Sequence, residues 1–362
     1  MKIIEIIPQL GQGGAERFVI DLCNELSKHN EVILVSLYNM DKHGFFKDEL
    51  SPNVKLICMN KQMGIDFQMF FQLYKFIKKE KPDVVHTHLR CITYTILAFT
   101  LLTKIKFIHT VHNDAYKEAG DKLSIWCRLF AFKHKFVHPI TISEESQKSF
   151  EQLYHIPSTL IYNGRPAYNI NTAHDVTREL IELKANKESK LVVNIARIQD
   201  QKNQIALAKA INNLNNKGHA IELVIIGSKA DSRIVHEIEA LKSPFIHLLG
   251  TRVNPRDYMI AADAFCLSSK YEGMPITLIE CFSVGAIPLC TPVGGIINMI
   301  QNGVNGLLSK GTGESEIEEL LLNYLDLSIE KEISIKEKSK ETFQLFDMEM
   351  CTNKYLEVIN KL

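Results

Sequence analysis

Short apolar runs alternate with longer amphipathic stretches along most of the chain. Residues 2–8 are nearly continuous in isoleucine, which is typical of a parallel strand buried on both faces, and a helix-periodic stretch follows them. Further strands are predicted at residues 31–37, 54–59, 84–87, 107–111, 160–162, 191–196, 222–226, 245–249, 264–267 and 287–290. This alternation predicts an α/β fold in which parallel sheets carry helices on both faces.

The length of 362 residues predicts two domains of ordinary size. Residues 167–190 are polar and charged, and we expect a linker with one short helix there. The domains are therefore predicted over residues 1–165 and 166–345, with a charged helix over 346–362 at the end of the chain.

Composition narrows the class of protein. An apolar fraction of 46% and a charged fraction of 23% are those of a soluble globular protein, and a formal net charge of zero gives no indication of nucleic-acid binding. Residues 1–165 hold 21 Lys and Arg against 17 Asp and Glu, a mild excess that favours contact with an anionic membrane surface.

The cysteines and the N-terminus indicate a compartment. None of the eight cysteines forms a Cys-x-x-Cys pair, and we expect them to be reduced, as in a cytoplasmic protein. The first residues predict a strand rather than a signal peptide, and the longest apolar run, 92–102, is about half of what crosses a bilayer. We expect a cytoplasmic protein, with peripheral contact at the membrane left open.

A glycine-rich turn follows the first predicted strand. Gly11, Gly13 and Gly14 lie between that strand and a helix, which is a common arrangement for binding phosphate at helix amides. The third glycine of the dinucleotide-binding fingerprint is absent. A tight turn without a ligand explains the pattern equally well.

Residues 268–285 predict a loop followed by a helix. Pro275 suits the first helical position and Gly285 suits the residue just past the last turn. The free amides of Ile276 and Thr277 form a natural anion site. Carboxylates stand at Glu272, before the helix, and at Glu280, inside it; eight helical steps would leave them roughly 80° apart around the helix axis. An ordinary capped surface helix is the alternative.

Two cations follow the first strand of the second half. Arg197 and Lys202 stand between that strand and a helix, where they suit a diphosphate because they neutralise its charge beside helix amides. A pair of surface cations without a ligand has the same spacing.

Histidines cluster at two predicted strand ends. His86 and His88 alternate onto one strand face, where they could share a metal, and His109 and His112 bracket the next strand. We expect no cysteine or acidic residue to complete a metal site, and therefore no metal. Residues 121–138 mix aromatic and cationic side chains around Trp126, which suits either a membrane interface or a helix packed on the sheet.

Together these segments resemble a known family. The Gly11–Gly14 turn, His112, Asn163-Gly164, Arg197 with Lys202, and Glu272 with Glu280 in an EGMP…E segment stand in the order found in retaining family-4 glycosyltransferases. The resemblance implies the GT-B fold, with two doubly wound Rossmann-like domains facing each other across a cleft. It also implies that residues 1–165 form the acceptor side, 166–345 bind the donor, and 346–362 cross back to the first domain.

The implied activity is retaining transfer of a sugar from a nucleotide sugar, UDP- or GDP-linked, to a glycan or lipid-linked acceptor in the synthesis of capsular polysaccharide, exopolysaccharide or lipopolysaccharide. No metal or other cofactor is implied, because the nucleotide sugar is a substrate. The resemblance implies catalytic roles for His112, Arg197, Lys202 and Glu272. It implies donor binding by Gly13, Gly14, Arg197, Lys202, Val253, Gly273, Met274, Ile276, Thr277 and Glu280.

Individual roles follow from the same resemblance. His112 would contact the sugar, Glu272 would hold the sugar hydroxyls and Glu280 the ribose, and Val253 lies in the loop that meets the base. Gly13 and Gly14 would approach either the donor diphosphate or the acceptor.

Three departures from the family pattern stand out. Asn203 replaces a glycine after Lys202, Pro166 replaces an acidic residue, and residues 296–298 supply no acidic residue after Gly294-Gly295. Two other functions stay open from the sequence, a GT-B nucleotide-sugar epimerase and a non-catalytic nucleotide-sugar-binding protein.

Overall fold

The structure, a computed structural model, describes residues 1–39, 44–168 and 176–362. The chain forms two compact units. Unit 1 contains Met1–Pro166 together with Phe346–Leu362, and unit 2 contains Ala167–Leu345.

Unit 1 is built on a parallel sheet. Its strands are β1 (Lys2–Ile7), β2 (Glu31–Ser36), β3 (Val54–Cys58), β4 (Val84–His88), β5 (Lys106–Val111), β6 (His138–Thr141) and β7 (Thr159–Leu160). Their order is β3-β2-β1-β4-β5-β6-β7. The order reverses between β1 and β4, and ligands of such sheets bind beyond the carboxyl ends of the strands at that point.

The helices that connect these strands complete unit 1 up to residue 166. They are α1 (Gly14–Leu26), α2 (Phe67–Glu80), α3 (Cys91–Tyr94), α4 (Ile96–Leu101), α5 (Ala115–Ala119), α6 (Lys122–Lys133) and α7 (Glu144–Tyr154). Helix α6 buries Cys127, Arg128, Ala131 and Phe132 and leaves Trp126 58% exposed. The prediction of a packed helix is therefore confirmed for residues 122–133, whereas residue 138 begins β6. Contact of Trp126 with a membrane stays a prediction.

Unit 2 repeats the architecture. Its strands are β8 (Lys190–Ile195), β9 (Ile221–Ile226), β10 (Ile246–Gly250), β11 (Ala264–Leu267), β12 (Pro288–Cys290) and β13 (Leu307–Leu308), parallel and in the order β10-β9-β8-β11-β12-β13. Its described helices are α8 (Val176–Leu183), α9 (Gln204–Asn216), α10 (Ser232–Glu239), α11 (Pro255–Ala261), α12 (Ile276–Val284), α13 (Ile296–Met299), α14 (Glu314–Leu325) and α15 (Ile329–Thr342). The order reverses between β8 and β11.

The last helix, α16 (Met348–Lys361), packs in unit 1. Asp347 caps its first turn, and Tyr355 is buried, with its hydroxyl 2.9 Å from Thr110 Oγ1 on β5. Gly164 lies under this helix, because a Cβ added there would stand 2.7 Å from Cys351 Cβ. The Asn163-Gly164 turn thus has a steric reason to carry glycine.

The predicted α/β class with two parallel sheets is confirmed. Strands β6 and β13 were not predicted from the sequence. Strand β6 begins with His138, which is polar, and Pro139, which cannot donate a hydrogen bond to a neighbouring strand. Strand β13 has only two residues. Among the described residues, none of the helices combines the length and the apolar character needed to cross a membrane.

Candidate active site

The segment around Glu272 leads from β11 into α12. Pro275 is the N-cap and the helix begins at Ile276, one residue later than predicted, while Gly285 ends the helix in the left-handed conformation (φ +69°), as predicted. The first amides of the helix, those of Ile276 and Thr277, have no carbonyl four residues earlier inside the helix to bind. The start of α12 therefore offers donors to an anion.

Glu272 forms an ion pair with Lys202. Lys202 Nζ lies 2.6 Å from Glu272 Oε1, and Ser269 Oγ donates to the same oxygen at 2.5 Å. The two charged side chains are 15% and 7% exposed, so the pair is largely shielded from water. Two residues that the sequence predicted separately for the donor site are thus in direct contact.

Two hydrogen bonds to backbone carbonyls join the loops that carry this pair. Ser268 Oγ donates to the carbonyl of Lys202 at 2.9 Å, and the amide of Lys270 donates to the carbonyl of Gln201 at 2.8 Å. Asn203 is left-handed (φ +56°), which explains why glycine suits this position and why asparagine, which tolerates that conformation, can replace it.

The Gly294-Gly295 turn supports the backbone of the same loop. A Cβ added at Gly294 would stand 1.8 Å from the carbonyl oxygen of Glu272, and Gly294 has a φ of +50°. The amide of Gly295 donates to the carbonyl of Gly273 at 2.8 Å. Only glycine fits at residue 294 without moving Glu272.

The other predicted donor residues of unit 2 differ in their exposure to solvent. Arg197 follows β8 and is exposed, and its guanidinium has no ion pair within the described ranges. Glu280 is 6% exposed on α12, and Met274 is 5% exposed just before it. Val253, in the loop after β10, is 94% exposed.

Arg197 and Lys202 follow β8, and Glu272 follows β11. These two strands flank the point where the order of the sheet reverses. Arg197, Lys202 and Glu272 therefore lie where parallel sheets bind ligands.

In unit 1, the glycine-rich turn begins α1. Gly13 is the N-cap, and a Cβ added there would stand 2.0 Å from the carboxylate oxygen Oε2 of Glu16. An acidic side chain thus already covers this helix start and opposes the binding of a second anion.

The histidines form a buried cluster with a carboxylate. Pairing of β1 with β4 sets Glu5 opposite His86, and Glu5 Oε2 lies 2.9 Å from His86 Nδ1 and 2.8 Å from His88 Nε2. The two histidines share a strand face, as predicted. The expectation that no acidic residue accompanies them is wrong, because a strand pairing brings in a residue 81 positions away.

Hydrogen bonds extend from this cluster in two directions. His88 Nδ1 lies 2.8 Å from His112 Nε2, and His86 Nε2 lies 2.8 Å from Thr110 Oγ1, which in turn contacts the hydroxyl of Tyr355. His112 is 9% exposed and stands at the end of one branch.

A second buried carboxylate holds the backbone of His112. Glu118 accepts from the amide of His112 at 2.6 Å and from Arg128 at 3.1 Å, and its Oε1 lies 3.6 Å from His109 Nε2. Neither Glu5 nor Glu118 is among the site residues predicted from the sequence. The position of Glu5 inside the apolar first strand was the feature of the sequence that could have indicated a functional carboxylate.

Burial and charge shift the pKa values of the cluster. Burial raises the pKa of Glu5, but attraction to His86 and hydrogen bonds from both imidazoles lower it to about 2. Burial, followed by repulsion from His86, keeps the pKa of His88 well below its usual range, and burial lowers the pKa of His112 to about 4. Glu5 is therefore ionised at neutral pH, whereas His88 and His112 are neutral.

Glu5, His86 and His88 are also the residues that could ligate a metal in the described part of the chain, since their ligand atoms lie within 4.8 Å of one another. The two contacts to Glu5 have hydrogen-bond lengths, and the outer nitrogen of each ring has its own partner. The absence of a metal remains a prediction.

Two family models match the chain in succession. The model described as Glycosyltransferase Family 4 matches residues 12–166, and the one described as Glycosyl transferases group 1 matches residues 175–342. The chain belongs to the family-4 glycosyltransferases. Between them, the two matches cover most of both units and each of the predicted site residues.

Curated relatives of this family-4 glycosyltransferase include two transferases. The UDP-Gal:alpha-D-GlcNAc-diphosphoundecaprenol alpha-1,3-galactosyltransferase of Escherichia coli is 28% identical over 70% of the chain and 69% of the relative. The GalNAc-alpha-(1->4)-GalNAc-alpha-(1->3)-diNAcBac-PP-undecaprenol alpha-1,4-N-acetyl-D-galactosaminyltransferase of Campylobacter jejuni is 27% identical over 99% and 98%.

Among solved structures, Anabaena Alr3699/HepE in complex with UDP and glucose superimposes with a TM-score of 0.83 at 17% identity, over 100% of both chains. The fold is therefore GT-B. The glycosyltransferase activity expected from the sequence is confirmed and is favoured over the epimerase and the non-catalytic binding protein.

Proposed function

We propose that this enzyme transfers a sugar, with retention of configuration, from a nucleotide sugar held by unit 2 to a lipid-linked saccharide held by unit 1. The observation that carries the proposal is the shielded Lys202–Glu272 pair beside the free amides of α12. The printed names of the two transferases, whose acceptors are linked to undecaprenol through a diphosphate, support this acceptor class.

The Lys202–Glu272 pair suits a ligand that is anionic on one side and rich in hydroxyls on the other. A diphosphate can accept from Lys202 and from the amides of Ile276 and Thr277, while Glu272 accepts from sugar hydroxyls. Arg197 is exposed and forms no ion pair with any residue that the structure describes, so it adds charge without first breaking such a contact.

The reaction then balances without a protein base. The bond between the anomeric carbon and the β-phosphate oxygen breaks, and its electron pair stays on the nucleoside diphosphate. The acceptor hydroxyl oxygen bonds to the anomeric carbon on the same face, and its proton passes to the departing phosphate. Arg197, Lys202 and the α12 amides stabilise the charge that grows on the diphosphate.

Further predicted residues would bind the nucleoside and the acceptor. Glu280 binds the ribose, and the loop with Val253 binds the base through its backbone. Of the two alternatives for Gly13 and Gly14, the acceptor is favoured, because the carboxylate over Gly13 repels a diphosphate but accepts from hydroxyls.

A thermal-shift panel of nucleotide sugars and free nucleotides, with EDTA present, tests donor binding. We expect a rise in melting temperature with one nucleoside diphosphate and its sugar, UDP first because the E. coli transferase uses UDP-Gal. If no nucleotide shifts the melting temperature, the donor site proposed for unit 2 is refuted. If the shift requires a divalent cation, the proposed metal-independent chemistry is refuted.

Unit 1 also carries an exposed apolar patch, which we define as Met63, Ile65, Phe67 and Phe71. These side chains are 86%, 64%, 75% and 60% exposed. Phe67 and Phe71 share one face of α2 with Lys75 and Lys78, which are also exposed. Apolar side chains beside cations suit the headgroup region of an anionic bilayer, where a lipid-linked acceptor resides.

Sedimentation with lipid vesicles tests this part of the proposal. We expect the protein to bind vesicles that contain phosphatidylglycerol more strongly than neutral ones, and Phe67→Ser with Phe71→Ser to weaken binding. Ile329→Ser, at a 74% exposed position of unit 2, is the matched control. Loss of binding only on Trp126→Ser would move the membrane surface to α6, and no binding at all would refute it.

A further inference from the structure

In the buried histidine cluster, the donor and the acceptor of the hydrogen bonds to Glu5 can be assigned. An ionised carboxylate only accepts, so the nitrogens that contact Glu5 Oε2, His86 Nδ1 at 2.9 Å and His88 Nε2 at 2.8 Å, both donate. Glu5 is 1% exposed, so its carboxylate is shielded from bulk solvent.

The assignment extends to His112. A neutral imidazole has one N–H. In His88 this N–H is on Nε2 and donates to Glu5, so Nδ1 of His88 is an acceptor. His112 Nε2 lies 2.8 Å from that nitrogen and must donate. The single N–H of His112 is then on Nε2, and its Nδ1, which is buried without a hydrogen-bond partner, can only accept.

We propose that Glu5 is a positioning residue: through His88 it holds His112 in the tautomer protonated at Nε2, and so presents Nδ1 as an acceptor for a sugar hydroxyl. A phosphate oxygen, which also only accepts, is excluded as the partner of Nδ1. Neighbouring atoms cover Nδ1, so a hydroxyl reaches it when residues beside His112 move on binding.

The contact with a sugar rests on the proposed function, whereas the tautomer does not. The second branch of the cluster supplies the matched control. On the side away from His112, the hydroxyl of Tyr355 contacts Thr110 Oγ1, which in turn contacts His86 Nε2. The Tyr355 hydroxyl is removed by Tyr355→Phe without touching the His88 branch.

Imidazole nitrogen NMR on protein labelled with ¹⁵N-histidine at pH 7 reads the tautomer directly, with His112→Gln used to assign the signals. We expect His112 to be protonated at Nε2 in the native protein and in Tyr355→Phe. In Glu5→Gln, whose amide can donate as well as accept, we expect both tautomers. If Glu5→Gln does not fold, His88→Gln releases the same constraint. A native His112 that is protonated at Nδ1, or doubly protonated, overturns the proposal.

Steady-state kinetics test the consequence. We expect Glu5→Gln to lower kcat/KM about tenfold, the effect of one lost hydrogen bond, and Tyr355→Phe to change it less than twofold. A substrate analogue, donor or acceptor, that lacks the contacted hydroxyl should react equally with the native protein and Glu5→Gln. Equal loss in both variants indicates a merely structural cluster and refutes the positioning role. If no donor reacts with the native protein, the proposed function fails while the NMR result still decides the tautomer.

Discussion

Lys202 and Glu272 neutralise each other across two loops that stand 70 residues apart in the sequence. An ion pair that is mostly shielded holds both side chains in place before a donor arrives. In the proposed function, a diphosphate competes for Lys202, and this exchange leaves Glu272 available for hydroxyls. The same contact would then hold the two loops together and provide the two kinds of group that a nucleotide sugar requires.

Removing either partner should abolish turnover while the fold survives. We expect Lys202→Ala and Glu272→Ala each to lower kcat/KM by at least about a hundredfold, as for loss of a preorganised electrostatic contact. Lys270→Ala is the control, because Lys270 lies in the same loop but pairs with Asp200, 64% exposed, and such surface pairs contribute little. Near-native rates in both variants, with native circular dichroism, would refute the site.

Gly294 allows a second prediction at this scale. Gly294→Ala forces a left-handed alanine and drives its Cβ into the carbonyl of Glu272, so Glu272 must move. We expect nucleotide affinity, measured by calorimetry, to fall tenfold or more. Gly303→Ala imposes a comparable φ, +75°, with nothing within 4 Å, and should cost stability but not affinity. Equal affinities in the two variants would contradict the supporting role of the turn.

Residue-level features were predictable where their cause is local. The stop at Gly285 and the tolerance for Asn203 depend on φ values that sequence motifs encode. The partners of Glu5 were not predictable, because they depend on which strands pair and in which register. A buried carboxylate in an apolar strand signals only that some partner exists.

At the scale of elements, long helices with capping residues were predictable and short strands were not. Asp66 and Ser143 accept hydrogen bonds from backbone amides at the starts of α2 and α7, and both are residue types that favour this capping position. Strand β13 is two residues long, too short for a periodic pattern, and only its pairing with β12 defines it. The start of α12 at Ile276 rather than Pro275 is within the usual uncertainty of helix ends.

The packing of α16 within unit 1 can be tested by substituting Gly164. We expect Gly164→Ala to lower the melting temperature, since its Cβ would meet Met348 Cα at 2.9 Å as well as Cys351. The loss should be about 1–3 kcal/mol, the usual range for overpacking. Gly311→Ala, whose nearest neighbour is the flexible side chain of Glu316 at 3.4 Å, should be near neutral. Similar melting temperatures for both variants would contradict the contact.

At the scale of the whole molecule, we expect the stability of the two units to depend differently on acidic pH. In unit 1, burial and neighbouring charges lower the pKa of His109 and His112 from 6.5 to about 4, and attraction outweighs burial to hold the pKa of Glu5 and Glu118 at about 2. In unit 2, burial raises the pKa of Glu222 and a hydrogen bond from His247, among others, reverses that shift.

We therefore predict that unit 1 unfolds first as the pH falls. A pKa lowered on folding means that the unfolded chain binds more protons, so the stability present above the unfolded pKa is lost with acid. For the histidines this loss runs from about pH 6.5 to 4, and for Glu5 and Glu118 from about 4.5 to 2. Trp126, the single tryptophan, reports on unit 1 by fluorescence, and hydrogen exchange of α12 and α14 peptides reports on unit 2. Replacing His109 by glutamine should flatten the first part of the acid profile. Loss of protection in unit 2 at a higher pH than the Trp126 transition would show that the buried cluster does not govern acid stability.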